Sequence, residues 1–438
     1  MIAFRCDGDH TVGAGHVARC LQIAAAFRTA GHEALFVGQF GGLAAAILED
    51  AGMETAPPAP GTPLGLPPGT DLAVLDSYEL EPAEAGLPVA AIEDGPHQSR
   101  PGVIPIDYHL DASGPAIAGT AYAPVAPALA AARRERGFQR ALVTVGGGSG
   151  GDELRSAALA ACRNHGLEPV ETGAGLAGAI EQADVAVSAA GLTAYELACA
   201  GVPAALVSIA SNQERVARTF DDAGLAITGD DPGMLVGRLA DPGVRESLAA
   251  AGPAAVDGYG AFRVRDALRA IVAGAPVAEP LRYRPATAAD SARQLEWRND
   301  PATRAVSRTT HEIQPAEHEP WFEGVLRDGD RRLLVVEDRV GPAGSVRFDV
   351  DGPEAEISVM IAPERRSGGL GTRAVRESSE LLLASTPAVE RVRAEVAEGN
   401  EGSLGAFRRA GFVPVADGGG TGASVLLLDR AALASRPT

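Results

Sequence analysis

The segment Phe4–Cys20 reads FRCDGDHTVGAGHVARC, and its order limits what the chain can fold into. The apolar opening Met1–Arg5 predicts a strand. A Gly-rich turn follows, then a helix over Val17–Ala30 with Leu21, Ala24, Ala25 and Phe27 on one side and Gly31 at its end. Strand, Gly-rich turn and helix in that order open a parallel sheet wound with crossover helices. Ligands bind such sheets at the carboxyl ends of the strands, where this turn lies. Gly13 and Gly15 let backbone approach a ligand closely, and the helix start offers free N–H groups. His16 stands there, with a ring that takes or returns a proton near neutrality. A solvated histidine in a Gly-rich turn is the alternative at this stage. His10, without flanking glycines, reads as a surface residue.

Strands and helices keep alternating. Glu33–Gly38 and Leu72–Asp76 predict short strands, Pro57–Gly69 a loop, and Ala121–Gly137 a linker into an Arg-rich helix. A second alternating set begins at Gln139–Val145 and runs to about Ala273. The expected fold class is therefore α/β, with two Rossmann-like domains over 1–125 and 126–274. Ala273–Pro280 (AGAPVAEP) reads as a boundary. Beyond it, over 281–438, Trp297, Trp321 and Phe322 appear, and Arg332–Glu337, Gly344–Val350 and Ala355–Ile361 follow one another as a meander, predicting a third, α+β domain. The 438 residues suffice for two to four cores, and 46% hydrophobic with only 4% aromatic residues suits such layers.

The charge balance narrows the partners. A net charge of −19 argues against nucleic acid or an anionic membrane, while leaving room for a local phosphate site. Every one of the 38 basic side chains is arginine, so a Schiff-base or P-loop lysine is excluded. Cys6, Cys20, Cys162 and Cys199 form no C-x-x-C pair and read as core thiols of a reducing compartment. No apolar run reaches 18 residues and the N-terminus reads as a strand, so a cytoplasmic location is expected. No His/Asp cluster has metal-ligand spacing, and no metal is expected.

The second domain carries features suited to a nucleotide. Strand Ala141–Val145 runs into Gly146-Gly147-Gly148-Ser149, whose amides can cradle a phosphate. A further strand ends at Ser188, Gly191-Leu192 turns into a helix, and Thr193 is placed to accept from that helix's first N–H groups. Glu196 lies one turn inside, where it either accepts from ribose hydroxyls or complements the helix dipole. Asn212 and Gln213, after strand Ala204–Ile209, bring polar groups to the same end of the sheet.

Residues 1 to about 273 resemble the nucleotide-sugar hydrolase family of pseudaminic acid biosynthesis, which has a GT-B fold and removes UDP from a diacetamido-trideoxy-altropyranose. The matching pieces are Arg5, Asp7, Gly13, Gly15, His16, Arg19 and Cys20 in R-x-D-x(5)-G-x-G-H-x-x-R-C, and Val74, Asp76 and Tyr78 in V-x-D-x-Y. Glu93-Asp94, the GLTAYELACAGVP segment and Asn212-Gln213 complete the set. The resemblance implies that His16 assists water attack at the anomeric carbon, and that Asp7, Asp76 and Asp94 order the water or hold sugar groups. It makes Glu196 the ribose-binding carboxylate, with Gly147 and Ser188 alongside.

Strand Ala355–Ile361 leads into Arg365-Arg366-Ser367-Gly368-Gly369-Leu370-Gly371-Thr372 and then a helix. Glycines at a strand-to-helix turn present consecutive N–H groups to a pyrophosphate, with Arg366 as a nearby cation. This stretch, with Asn400, Ser403, Phe407 and Gly411-Phe412, resembles the GNAT acetyltransferases over roughly Leu281–Leu428. Glu296–Asp300 and Trp321-Phe322 look like the acetyltransferase of the same pathway. The resemblance implies acetyl-CoA as acyl donor, bordered by Asn400 and Ser403, with amides of Val359 to Ile361 stabilising the oxyanion. Glu356 is a candidate base or a solvent-facing glutamate; His311 and His318 are weaker candidates. Phe407 stands where many members carry the tyrosine acid.

Together these readings predict a bifunctional enzyme that N-acetylates a UDP-amino-sugar and releases UDP by hydrolysis. Open alternatives are a binding-module or glycosyltransferase role for the first part, another amine, and another acyl-CoA. The oligomeric state is not legible.

Overall fold

Strands β1 (Ile2–Cys6), with β2 (Ala34–Val37) and β3 (Glu54–Ala56) on one side, and β4 (Leu72–Asp76) on the other, begin the first sheet of the computed structural model. It continues through β5 (Val89–Ile92), β6 (Val103–Asp107) and β7 (Ile117–Ala118), all parallel, in the order β3-β2-β1-β4-β5-β6-β7. Every residue of β1, β4 and β5 is buried, as expected for parallel strands covered on both faces. The structure describes residues 1–8, 14–80, 85–94, 102–145, 151–172, 175–307, 309–415 and 423–434. Strand order reverses between β1 and β4, so their carboxyl ends form a switch point, the crevice where ligands enter such sheets. Phe4 stacks on Phe36 at 5.3 Å and meets Phe27 edge-on at 6.4 Å, tying helix Gly15–Thr29 to the sheet.

The second sheet holds β8 (Arg140–Thr144), β9 (Glu168–Val170), β10 (Val185–Ala189), β11 (Ala204–Val207) and β12 (Ile227–Thr228), again parallel, in the order β12-β11-β10-β8-β9. Its switch point lies between β8 and β10, where Thr144 Oγ1 donates to Ser188 Oγ at 2.9 Å. Both sheets belong to one compact unit, Met1–Ala278. Its last helix, Gly260–Val272, packs on helix Gly15–Thr29 and sends Arg265 to the carbonyl of Ala26 at 3.3 Å. Gly260 lets the same helix approach the backbone after the turn Thr120–Tyr122, since a Cβ there would lie 2.0 Å from the Ala123 carbonyl oxygen.

The Arg-rich helix expected before the second sheet does not form. A four-residue helix, Ala128–Ala131, ends before the arginines, and these extend to carbonyl oxygens at the ends of two other helices. Arg134 and Arg136 reach the carbonyls of residues 180–183, closing helix Leu176–Gln182. Arg133 and Arg136 serve those of Cys199 and Ala200 on helix Leu192–Ala200. Orphan carbonyls and a negative helix end favour guanidinium over continued helix.

The second unit, Glu279–Arg436, has one seven-stranded sheet. It runs β13 (Arg282–Pro285), β14 (Arg331–Asp338), β15 (Gly341–Asp351), β16 (Glu354–Ile361), β17 (Arg391–Val396), then β19 (Ser424–Asp429) and β18 (Val413–Pro414). The meander expected from Arg332 onward is there as β14 to β16. All neighbours are antiparallel except β16 and β17, which run parallel. Helix Leu370–Ser385 supplies the crossover between those two, as a parallel pair demands.

Candidate functional site

In the first unit the switch point between β1 and β4 carries a buried polar cluster. Helix Gly15–Thr29 starts two residues earlier than expected, so His16 sits in its first turn, 7% exposed. Asp76 ends β4 and is 2% exposed. His16 Nδ1 lies 2.6 Å from Asp76 Oδ1. Sequence reasoning gives Arg19 no role beyond the motif, yet it is the hub. One turn after His16, its Nε donates to Asp76 Oδ2 at 2.5 Å and its Nη2 to Asp76 Oδ1 at 2.7 Å. The same guanidinium grips Asp94 and donates to the Tyr108 hydroxyl at 3.1 Å. The Tyr78 hydroxyl donates to Asp94, and the ring meets His16 edge-on at 4.9 Å while remaining 65% exposed. Asn212, from the second sheet's side, donates to the Tyr78 hydroxyl at 3.5 Å.

The charges are balanced locally. Burial pushes the Asp76 carboxyl up, but the Arg19 guanidinium and the His16 bond outweigh it and hold Asp76 below the ordinary carboxylate range. Asp94, against the same penalty, is held down to about 2 by Arg19 and Tyr78. Burial and the neighbouring Asp94 charge push the Tyr78 phenol up to about 12. With Asp76 ionised, His16 Nδ1 is the donor in their contact.

His16, Asp76, Asp94, Tyr78 and Asn212 are thus brought together. Asp7 is not part of that cluster: its carboxylate pairs with Arg5 at 3.0 Å and accepts from the Gln39 N–H at 2.8 Å. A Cβ on Gly15 would meet nothing within 4 Å. Gly13, His10 and Gly147 lie outside the described residues. At the second sheet, helix Leu192–Ala200 follows Gly191 with no side-chain cap. Thr193, expected to cap it, lies inside the first turn, and its hydroxyl turns to Glu196 instead. Burial pushes the Glu196 carboxyl up to about 7, only partly offset by that hydrogen bond. Gln213 Oε1 accepts from the Ile209 N–H at 3.0 Å and shapes the turn around Asn212.

In the second unit, β16 pairs with β17 only from Glu354↔Arg391 to Ile357↔Ala394; beyond that the strands part. On its other edge β16 stays paired with β15, and the Ala362 N–H donates to the Ala343 carbonyl at 3.0 Å. By the two-residue alternation of an antiparallel ladder, the Val359 and Ile361 amides turn the other way, into the gap. The chain then turns through Ser367 (φ 71°) and Gly369 (φ 78°) into helix Leu370–Ser385, whose start has no side-chain cap. A Cβ on Gly368 or Gly369 would meet nothing within 4 Å. Ser367 and Gly369, left-handed on either side of Gly368, lead into an uncapped helix whose first N–H groups, those of Gly371 and Thr372 among them, have no intrahelical partner. Those donors fit a pyrophosphate.

Arg366 is not a free cation. It donates to Asp300 at 2.8 Å, to the Thr303 hydroxyl at 2.6 Å and to the Ile361 carbonyl at 3.3 Å, fastening the loop to the neighbouring helix. Asn400 caps helix Glu401–Arg409 by accepting from the Ser403 N–H at 3.1 Å, and it lines a cleft of about 290 Å³ with Val396 and Ser424. Glu356 pairs with Arg393 at 2.7 Å. His318 bonds the Ser291 carbonyl at 3.0 Å, His311 pairs with Glu317, and Phe407 packs on Phe412 at 5.1 Å.

Residues 281–413 match the family model of the acetyltransferase (GNAT) domain. The second unit is a GNAT domain. Among solved structures it is similar to the aminoglycoside acetyltransferase AAC(6')-Ib in complex with coenzyme A and kanamycin, at 20% identity over 35% of this chain and 96% of that one, TM-score 0.31. It is likewise similar to the Vibrio cholerae spermidine N-acetyltransferase in complex with CoA and spermine, at 17% identity over 35% and 97%, TM-score 0.32. No curated protein matches the chain in sequence. Among the described residues no group of three His, Cys, Asp or Glu side chains is placed to hold a metal ion, and no helix is long and apolar enough to cross a membrane.

Proposed function

We propose that the chain is a two-part nucleotide-sugar enzyme. The GNAT domain transfers an acetyl group to the free amine of a UDP-amino-sugar, and the first unit releases UDP from the sugar by attack of water. The observation that carries the combined reading is the buried His16–Asp76 pair at a ligand-binding switch point on the same chain as a GNAT domain.

Acetyl-CoA supplies an activated acyl carbonyl. The amides around Ser367–Thr372 are suited to its pyrophosphate, and the Val359 and Ile361 amides are suited to negative charge developing on the acyl oxygen. Glu356, His311 and His318 each have a partner, and the amine reacts in its neutral form: its nitrogen attacks the acyl carbon, the carbon–sulfur bond breaks, CoA leaves as the thiolate with the electron pair, and the amine's proton passes through water to that sulfur.

In the first unit, His16 Nε2 takes a proton from a water whose oxygen attacks the anomeric carbon. The carbon–oxygen bond to UDP breaks, and UDP leaves with the electron pair. Asp76 holds the His16 tautomer and the charge the ring acquires. Arg19 keeps Asp76 and Asp94 ionised, and Asp94 and Tyr78 shape the sugar side. Glu196 is suited to ribose hydroxyls, and Ser188, Gly191 and Leu192 to the neighbouring phosphate.

The test measures UDP and CoA release from UDP-4-amino-4,6-dideoxy-N-acetyl-altrosamine plus acetyl-CoA, with wild type, His16→Ala and Gly369→Glu. Both products are expected from wild type, with His16→Ala losing UDP and Gly369→Glu losing CoA. CoA without UDP would overturn the hydrolase part, and neither product would overturn the substrate.

A further inference from the structure

Helix Glu214–Asp222 and the turn before it reach the polar cluster of the first unit by three routes, two of which pass through Tyr108. Asn212 reaches the Tyr78 hydroxyl, which donates to Asp94, which is held by Arg19. Phe220 meets the Tyr195 ring at 4.9 Å, and Tyr195 meets Tyr108 at 5.2 Å, whose hydroxyl accepts from Arg19. Arg215 donates to Asp107 Oδ2 at 3.2 Å and through Nε to Asp111 Oδ1 at 2.8 Å. Asp107 is 1% exposed, ends β6, and immediately precedes Tyr108. Its other oxygen accepts from His109 Nδ1 at 2.8 Å and from the His109 N–H at 3.1 Å, and the His109 ring stacks on Tyr108 at 5.3 Å. Tyr108 therefore lies in the chain between Asp107 and His109, which Asp107 anchors, and Asp107 is anchored by Arg215.

All three routes end on Arg19, the group that fixes Asp76 and through it His16. A helix that belongs to the second sheet thus braces the histidine of the first. We infer that Arg215 is a positioning residue: through Asp107 and Tyr108 it sets the placement of Arg19, and so couples occupation of the second sheet's nucleotide side to alignment of the His16–Asp76 pair. The coupling rests on the proposed UDP site, but the anchoring of Arg19 by Arg215 does not. A guanidinium suits the role because one planar fork spans two carboxylates, which an ammonium cannot reproduce.

The experiment uses the full chain labelled with ¹⁵N-histidine, following the His16 Nδ1–H proton resonance, together with UDP affinity by calorimetry and steady-state UDP release. Wild type, Arg215→Met, Arg215→Lys and Asp111→Asn are compared, and a cooperative denaturation followed by tyrosine fluorescence reports that the first unit of each variant is folded. In wild type, UDP is expected to shift the His16 resonance. In Arg215→Met the nucleotide-free resonance already moves, UDP binds within about two-fold of wild type but no longer shifts it, and kcat for UDP release falls about ten-fold with KM little changed. Arg215→Lys is expected to recover part of that loss, and Asp111→Asn, at the outer end of the fork, to show a smaller change of the same kind. An unmoved His16 resonance in nucleotide-free Arg215→Met, or an equal UDP shift in both proteins, overturns the inference. Failure of wild type to bind or release UDP would sink the functional proposal, while the nucleotide-free comparison would still decide the role of Arg215.

Discussion

His16 owes its orientation to one buried carboxylate, so Asp76→Asn removes the acceptor that selects the tautomer while hardly altering shape. We expect it to lower kcat for UDP release by about 10²–10⁴-fold, comparable with loss of a triad carboxylate, with CoA release unchanged. Steady-state assays of the two products check this. Glu196 gives a pH signature of the opposite kind to a paired carboxylate. Its folded value, about 7, lies above the ordinary 4.5, so the folded state binds the extra proton and stability falls as pH rises through that window. Glu196→Gln should flatten this fall between about pH 5 and 7, read from chemical denaturation of the ligand-free protein at several pH values. His16 and Asp76 are legible as residues because a Gly-rich turn and a strand end announce them. Arg19 is not, since an arginine one turn into a helix ordinarily faces solvent, and only a partner 57 positions away makes it a hub. The motif position of Asp7 is equally clear, but its partners, Arg5 and the Gln39 amide, are not.

At the level of elements, the turn into helix Leu370–Ser385 depends on Gly369 at φ 78°, which an L-residue adopts at a cost of roughly 1–2 kcal/mol. Gly369→Ala should raise the KM for acetyl-CoA more than it lowers kcat, and lower the melting temperature of the GNAT domain by a few degrees. Gly260→Ala is expected to be worse for folding. Its Cβ would collide with the Ala123 carbonyl, a backbone atom without freedom to retreat, and the loss should be visible as reduced soluble yield or a lower denaturant midpoint. The strands β4 and β14 to β16 are readable from sequence because their apolar runs and turns are local signals. The stretch 133–136 is not, because its arginines cap helices remote in sequence. The parting of β16 from β17 is equally hidden, since pairing is a property of two strands and neither sequence marks where it ends.

Across the whole molecule, Asp76, Asp94, Asp107 and Asp184 in the first unit and Asp290 in the second all have carboxyls held below their ordinary value. In each case burial opposes the shift and an arginine or histidine partner or hydrogen bonds overcome it. A depressed carboxyl contributes stability that is present above its unfolded value near 3.8 and is lost as pH falls through the folded value. Asp71 in the first unit and Asp300 in the second are held down likewise, so the first unit, with five such groups against two, should unfold at higher pH than the GNAT domain on acid titration. Tyrosine fluorescence of the first unit and tryptophan fluorescence of the second can follow the two separately, because both tryptophans, Trp297 and Trp321, lie in the GNAT domain. The division into compact units at residue 278 falls within AGAPVAEP, and the sheet after it is mainly antiparallel. Where β16 leaves β17, two peptide N–H groups interrupt an otherwise paired sheet. In heavy water the protons of Val359 and Ile361 should be replaced early, while those of Ser358 and Met360, turned toward β15, persist. The molecule thus carries its own isotopic clock, and an acyl donor entering the gap would slow those two positions before any product is made.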